Sequence, residues 1–204
     1  MDDKPAERLK PLKITCTSSD CNNDLHCFRR SRKMAAVDRG KCRSCGKDLI
    51  DWPRVHEREL RDAAFIFNSL KQELIRHHYW HKPIDQHAEN YARRKGRVGL
   101  KEAVRKRLKK SVAPANPPFD GRQTPHSGNI IYYAQHATAC CCRTCMEYWP
   151  GIPKGVGLDD EQLDYFVNLI MLYVDERLPD LSEFPQKVAP IRTKSEDYNE
   201  EKID

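Results

Sequence analysis

A dense group of sulfur side chains lies in the second half of the chain, where four of the nine cysteines fall within six residues: Cys140, Cys141, Cys142 and Cys145. His136 stands four positions before the first of them. Cys142 and Cys145 form a Cys-x-x-Cys pair, the spacing at which two thiolates bind one metal ion. If Thr138 is the N-cap of a helix here, the helix dipole also favours the thiolate form. The pattern predicts a bound metal or cluster, with redox-active thiols or inert buried cysteines as alternatives.

A second cysteine pattern lies near the N-terminus. Cys16-x4-Cys21 is followed about twenty residues later by Cys42-x2-Cys45 and a glycine suited to a tight metal-binding turn. These four cysteines are the predicted ligands of a zinc ion, although His26 or Cys27 could replace one of the first pair. The segment resembles a generic zinc ribbon or treble clef. Because so short a module buries little apolar surface, the metal would supply its folding free energy.

Composition restricts the setting in which these cysteines act. The chain has 204 residues, of which 39% are hydrophobic and 32% charged. No apolar run approaches the roughly 20 residues needed to cross a bilayer, and the N-terminus has no apolar signal-peptide core. We therefore expect a cytoplasmic protein with no membrane partner. In a reducing compartment, paired cysteines favour metal or redox chemistry over structural disulfides.

Positive charge is concentrated between positions 93 and 110, where ten basic residues face one acid, Glu102. Such a stretch is typical of a surface that binds phosphates. The predicted partner is nucleic acid, DNA or RNA, or a nucleic-acid-associated protein complex. The residues expected to contact it are Arg93, Arg94, Lys101, Arg105, Lys106, Arg107 and Lys109.

Apolar spacing predicts a mainly α (α+β) protein. We expect helices over 53–79, 84–94, 100–112 and about 159–178, with 130–134 as a buried strand or the start of a helix. The predicted organisation is a disordered lead (1–12), a zinc-binding module (13–52), a helical domain with the Cys/His cluster (53–178) and an acidic, loosely ordered tail (179–204). The small N-terminal module would pack on the helical domain.

Several motifs carry a family resemblance: Asp120–Pro125, Ala134–Ala139, the Cys141-Cys142-Arg143-x-Cys145 string and Trp149-x-Gly151-Ile152-Pro153. Over about 96–178 the chain resembles the bacterial family called domain of unknown function 4186. In that family's pattern threonine stands where this chain has Cys140, and histidine where it has Pro150. The resemblance therefore narrows the second metal site to His136, Cys141, Cys142 and Cys145, and it implies no reaction.

Three functions remain open from the sequence. The first is a zinc-binding protein whose basic helix contacts nucleic acid. The second is a metal-dependent, hydrolase-type enzyme centred on His136, Cys142 and Cys145, with Asp120 or His126 as proton carrier. The third is an iron–sulfur or thiol redox sensor, because sulfur-rich tetrahedral sites suit both zinc and iron. The second centre would accordingly hold zinc or an iron–sulfur cluster.

Overall fold

Seven α-helices and their connecting turns make up residues 14–31 and 33–191, the part of the chain that the computed structural model describes. Within those residues, extended pairing is limited to two isolated bridges, Asp20 with Leu25 and His26 with Glu73. The prediction of a mainly helical fold with an N-terminal Cys/His group and a second cysteine cluster is confirmed. The predicted disordered lead, residues 1–12, lies outside the described residues.

The stretch predicted as one helix over 53–79 is broken into α1 (Trp52–Glu57), α2 (Ala63–Lys71) and α3 (Leu74–His81). Arg58 ends α1 in a left-handed conformation with a φ of 56°. Between α2 and α3, the His26 N–H donates to the Gln72 carbonyl (2.8 Å) and the Leu74 N–H donates to the His26 carbonyl (2.9 Å). The single-helix prediction is wrong because the N-terminal segment takes up backbone hydrogen bonds that a continuous helix would have used internally.

Helix α4 (Gln86–Ser111) carries most of the basic residues and contains one break, at Gly96, where φ is 62° and ψ is 170°. A Cβ atom there would lie 2.4 Å from the Phe184 carbonyl carbon, so only glycine fits. A later segment, residues 182–186, lies against this break. The Arg97 N–H donates to the Ser182 carbonyl, and the Gln186 N–H donates to the Arg93 carbonyl. Residues 182–189 are therefore joined to α4 by hydrogen bonds, although most of them are exposed, and the acidic, loosely ordered tail over 179–204 stays a prediction. The rest of that tail, 192–204, lies outside the described residues.

Helices α5 (Ile130–Ala137), α6 (Arg143–Tyr148) and α7 (Asp160–Arg177) complete the core. α5 packs against α3, α4 and α7 and is almost wholly buried. α7 begins with a capping box, in which the Asp159 carboxylate accepts the Gln162 N–H at 2.7 Å. The helix thus begins where the sequence predicts it. The cysteine cluster lies at the turn between α5 and α6.

Candidate metal centres and basic groove

The N-terminal centre consists of Cys21, His26, Cys42 and Cys45, whose possible ligand atoms all lie within 4.8 Å of one another. The Cys21 and Cys42 sulfurs are 3.7 Å apart, and the Cys45 sulfur is 3.5 Å from His26 Nδ1. Three sulfurs and one imidazole nitrogen form a donor set that suits tetrahedral zinc. The structure therefore replaces Cys16 in the predicted set with His26, one of the two alternatives that the sequence left open.

Backbone amides explain how this centre favours a thiolate. The Gly46 N–H donates to the Cys42 carbonyl at 2.8 Å, closing a tight turn in which Gly46 has a φ of 75°. Burial opposes ionisation of Cys42, but N–H groups of Cys27, Cys45 and Ser44 hydrogen-bond to its sulfur and lower its pKa to about 6. In the described part of 14–50 the regular elements are two 3-10 turns, so the zinc ribbon or treble-clef resemblance stays a prediction.

The buried centre brings together Cys141, Cys142 and Cys145, with possible ligand atoms within 4.8 Å of one another. All three side chains are at most 5% exposed. The helix that the sequence predicts through this stretch is interrupted: Thr138 ends α5, Ala139 is left-handed with a φ of 55°, and α6 starts after Cys142. The three sulfurs therefore come together at this turn and not along one face of a helix.

His136 does not join the sulfur group. Its Nε2 donates to the Pro125 carbonyl at 3.1 Å, and its ring stacks between Tyr79 and His126 at centroid distances of 4.4 and 4.8 Å. Burial and the nearby Arg76 charge lower its pKa to about 4, so the imidazole is neutral. Its Nδ1 is buried without a hydrogen-bond partner among the described residues. The prediction that His136 is a ligand is thus not supported by its placement.

The two remaining cysteines near this centre have different environments. Cys140 is fully buried and lies 3.3 Å from the Thr138 hydroxyl, outside the sulfur group. Cys16, predicted for the N-terminal centre, lies outside both sulfur groups, and the Cys27 thiol donates to its carbonyl at 3.3 Å. Hydrogen bonds from Cys141 and Cys142 hold the pKa of Cys145 well below its usual range. These bonds favour the thiolate form of Cys145, whose sulfur also accepts a hydrogen bond from Arg76 at 3.0 Å.

A buried ion pair lies beside the second centre, and it was not predicted from the sequence. Arg76 donates to the Cys145 sulfur at 3.0 Å and to Glu73 at 3.0 Å, and both charged side chains are fully buried. Burial lowers the pKa of Arg76, but Cys145, Tyr148 and Glu73 outweigh it and raise that pKa overall. Burial likewise raises the pKa of Glu73, which accepts a 2.6 Å hydrogen bond from Trp149. An acid and a base three residues apart on a helix usually indicate an exposed pair.

A basic groove of about 490 Å³ runs between α4 and the start of α5. Four cationic and two aromatic side chains line it: Lys95, Lys106, Arg107, Lys110, Tyr91 and Tyr132. The Arg107 guanidinium lies 5.1 Å from the centre of the Tyr132 ring. Arg107 and Lys110 also border a second opening of about 400 Å³, which adds Phe119 and Arg122. The two openings together form a cationic and aromatic surface.

The residues predicted to contact nucleic acid lie in different environments: some line the groove, some form ion pairs and some lie elsewhere on the surface. Lys106 and Arg107 line the groove. Arg93 pairs with Glu89 (2.9 Å) and Asp180 (2.8 Å), and Arg105 pairs with Asp164 on α7. The others lie outside the groove lining: Lys101 borders a cavity beside α7, while Arg94 and Lys109 are exposed. The predicted contacts did not name Lys95, Lys110 and Tyr91, which line the groove, or Phe119, which borders the second opening. Helical spacing places Lys110 on the same side of α4 as Lys106.

Comparison with known proteins bears on the family alone. None of the described helices is both long enough and apolar enough to cross a membrane. No solved structure matches the chain. The family described as domain of unknown function (DUF4186) matches residues 64–175, which includes the buried sulfur group, α3 and the basic groove. Since this match covers more than half of the chain, the protein belongs to that family.

Proposed function

We propose that this protein binds single-stranded nucleic acid along the basic groove, and that zinc in the two sulfur centres holds the surrounding fold. The observation that carries the proposal is the combination of Lys95, Lys106, Arg107 and Lys110 with Tyr91 and Tyr132 in one groove. Nonspecific single-strand binders combine such a cationic track with aromatic rings on which bases stack.

The distribution of ion pairs supports this location. On the side of α4 that faces α7, Arg97 pairs with Asp175 and Arg105 with Asp164, so much of the positive charge there is neutralised. In the groove, Lys106 and Lys110 are exposed, and Glu102 is the acid among its lining residues. A polyanion approaching α4 therefore meets its largest unneutralised charge in the groove.

The aromatic side chains favour unpaired bases over a duplex. Phe119 is 81% exposed and borders the second opening with Arg107 and Lys110, so its ring face is accessible to a base. Tyr91 and Tyr132 are half-buried beside the lysines, where a ring face can meet a base. Base faces are available for such stacking when a strand is unpaired.

The buried centre gives less support to an enzyme. Its three sulfurs are at most 5% exposed, whereas a catalytic zinc needs a position that substrate and water can reach. Asp120, the predicted proton carrier, is held by Lys154 at 2.6 Å and by the Thr144 hydroxyl at 3.1 Å. His126 lies 2.5 Å from the Tyr79 hydroxyl. These contacts favour a structural role for the metal.

The test is fluorescence anisotropy with a labelled single-stranded oligonucleotide, as DNA and as RNA, over a range of salt concentrations. We expect the charge-reversed variant K106E/K110E to lose at least about tenfold in affinity. Its dependence of log K on log salt should flatten by about 1.4, since two phosphate contacts are lost. Phe119→Ala should weaken binding by about 1–3 kcal/mol if a base stacks on this ring.

A matched control comes from the same helix. The variant R94E/K101E changes the net charge equally but alters residues outside the groove lining, so we expect at most about a twofold loss. Equal losses in the two variants would show nonspecific attraction to overall charge and contradict a groove site. Binding that does not respond to salt, or that prefers a duplex of the same length, would also contradict the proposal.

A further inference from the structure

A small pocket of about 170 Å³ lies between the N-terminal segment and α1, and its lining shares no residue with the two sulfur groups or with the basic groove. Cationic and aromatic side chains line it: Arg30, Arg39, Phe28, Trp52, His56 and Tyr148. No carboxylate is among these lining residues. A pocket with two positive charges and no acid attracts an anion.

The two arginines are carried by segments that are fixed to Trp52 at the start of α1. The Trp52 indole N–H donates to the carbonyl of Gly40, the residue after Arg39, at 2.9 Å. A Cβ atom at Gly40, where φ is 91°, would lie 2.5 Å from Trp52 Nε1, so this close approach requires glycine. Phe28, two residues before Arg30, packs edge-on against Trp52 at a centroid distance of 5.9 Å. The same indole ring therefore holds the backbone on both sides of the pocket.

Three polar side chains of the pocket have unused hydrogen-bonding capacity. Arg30 and Arg39 are exposed, and neither forms an ion pair within residues 14–31 and 33–191. His56 Nε2 is buried without a hydrogen-bond partner among the described residues. Burial lowers the pKa of His56, so its ring is neutral near pH 7 and does not add to the charge of the arginines. Because buried polar atoms normally have partners, the orphaned nitrogen indicates a polar ligand in this pocket.

We propose that this pocket binds a terminal phosphate group, either inorganic phosphate or a phosphate monoester. Two guanidinium groups match the roughly 1.5 to 2 negative charges of a monoester near pH 7 better than the single charge of a carboxylate. Arg30 and Arg39 donate to the phosphate oxygens, and His56 Nε2 exchanges a hydrogen bond with one of them.

The size of the pocket restricts what else it can hold. Its volume of about 170 Å³ is below the roughly 300–1,000 Å³ of pockets that enclose a drug-sized ligand. One compact group therefore fits, and the remainder of a larger molecule stays outside. The proposal is independent of nucleic-acid binding in the basic groove.

The first test is isothermal titration calorimetry of the full, zinc-loaded chain with inorganic phosphate. We expect saturable binding that R30Q/R39Q weakens at least about tenfold, since charge-assisted hydrogen bonds are lost. The matched control is R29Q/K33Q, which removes the same charge from the same part of the chain but lies outside the pocket lining, and it should lose at most about twofold. Unchanged zinc content would verify that both variants are folded. Absent binding in the wild type, equal losses in the two variants, or acetate binding as tight as phosphate would overturn the proposal.

A second measurement locates the ligand. In protein with ¹⁵N-labelled histidine, phosphate should shift the Nε2 resonance of His56, identified by its loss in His56→Gln, and leave that of the exposed His87 unchanged. The shift should be absent in R30Q/R39Q. An unmoved His56 resonance in the wild type would overturn the assignment to this pocket.

Two oligonucleotides distinguish the possible sources of the phosphate. If a 5′-phosphorylated strand binds more tightly than its 5′-hydroxyl counterpart, and R30Q/R39Q removes the difference, the pocket takes the end of a strand. Equal binding of the two strands, with inorganic phosphate still bound, would assign the pocket to a small phosphate monoester. The groove variant K106E/K110E should bind inorganic phosphate as the wild type does, so failure of the groove proposal is distinguishable from failure of this one.

Discussion

The two sulfur centres are built in opposite ways. In the N-terminal centre, Cys42 and Cys45 lie on one tight turn, and Cys45 is exposed to solvent. Two 3-10 turns and isolated bridges are the regular structure around it in the described residues. In the other centre, Cys145 lies on α6 and accepts a hydrogen bond from Arg76 on α3, and the three sulfurs are buried near a buried charged pair, Arg76 and Glu73.

This difference indicates what a metal would contribute at each place. A loop segment with little apolar burial depends on its metal for folding free energy. The buried centre belongs to a helical core that hydrophobic packing already stabilises, so a metal there would fix side-chain positions and neutralise thiolates. The four predictions that follow test this contrast, from the largest expected effect to the smallest.

Cys42→Ser should unfold the N-terminal centre while leaving the helical core intact. Three backbone N–H groups stabilise the Cys42 thiolate. The substitution therefore removes a metal ligand and also the group around which the turn is organised. Hydrogen–deuterium exchange should show loss of protection in peptides from 21–50 and unchanged protection in α7. Ser44→Ala, at an exposed neighbour on the same turn, serves as the control. Protection retained in Cys42→Ser would mean that this segment folds without its metal.

Arg76→Met should cost about 3–5 kcal/mol of the free energy of unfolding, measured by urea denaturation. The substitution leaves the Glu73 carboxylate buried without its cationic partner and removes the hydrogen bond to Cys145. Arg94→Met, on the exposed side of α4, should change stability by less than about 0.5 kcal/mol. A cost below about 1 kcal/mol for Arg76→Met would show that the buried centre tolerates loss of its counter-charge.

Mild acid should destabilise the region around the buried centre through His136. Its pKa is about 4 in the folded protein against about 6.5 in an unfolded chain. Below pH 6.5 the unfolded chain binds a proton that the folded protein does not, so stability falls as the pH decreases toward 4. From pH 7 to pH 5 the wild type should lose roughly 2 kcal/mol more than His136→Gln.

Acid also protonates the thiolates and releases metal, but it does so equally in the wild type and in His136→Gln. The difference in stability between the two proteins is therefore not affected by metal release. His87→Gln, at an exposed position of α4, should follow the wild type. Parallel stability curves for the wild type and His136→Gln would contradict a buried neutral imidazole at position 136.

Asp159→Ala should have the smallest effect, about 1 kcal/mol, because it removes the N-cap of α7 without touching either centre. Thermal unfolding and zinc content measured together are the test. We expect a lower midpoint with unchanged metal, which would separate the stability of the helical frame from metal binding. Loss of zinc in this variant would show that the two properties are coupled.

Features that depend on neighbouring residues were predictable from the sequence. The Cys42-x2-Cys45 pair followed by Gly46, the gap between the helices predicted over 84–94 and 100–112, and the capped start of α7 all arise from spacing, backbone freedom or a side chain bonding its own helix. The structure has one break in that gap, at Gly96. The lopsided charge of α4 is equally a local property, although the ion pairs of Arg93 and Arg105 that remove part of it are not.

The residues of the two sulfur centres were harder to predict, for a different reason in each case. Cys16 precedes Cys21 by five positions, so spacing assigned both to one metal, yet in the folded chain Cys16 lies outside the group that Cys21 forms with His26, Cys42 and Cys45. His136 precedes the cysteines at helical spacing, but the left-handed Ala139 breaks that helix. Glu73 and Arg76 were not among the predicted site residues, because their burial depends on the packing of α3 against the sulfur group.

By itself, then, the sequence determined the kinds of chemistry present: thiolate groups at metal-binding spacing, a basic helix and a helical core. Tertiary structure decided which cysteine sulfurs lie together, which lysine and arginine side chains stay outside ion pairs and where charged side chains are buried. The physical reason is how far apart in the sequence the interacting residues lie. Ligand spacing, caps and glycine breaks are set within a few residues, whereas the contact of Arg76 with Cys145, or of Arg107 with Tyr132, depends on packing between segments far apart in the chain.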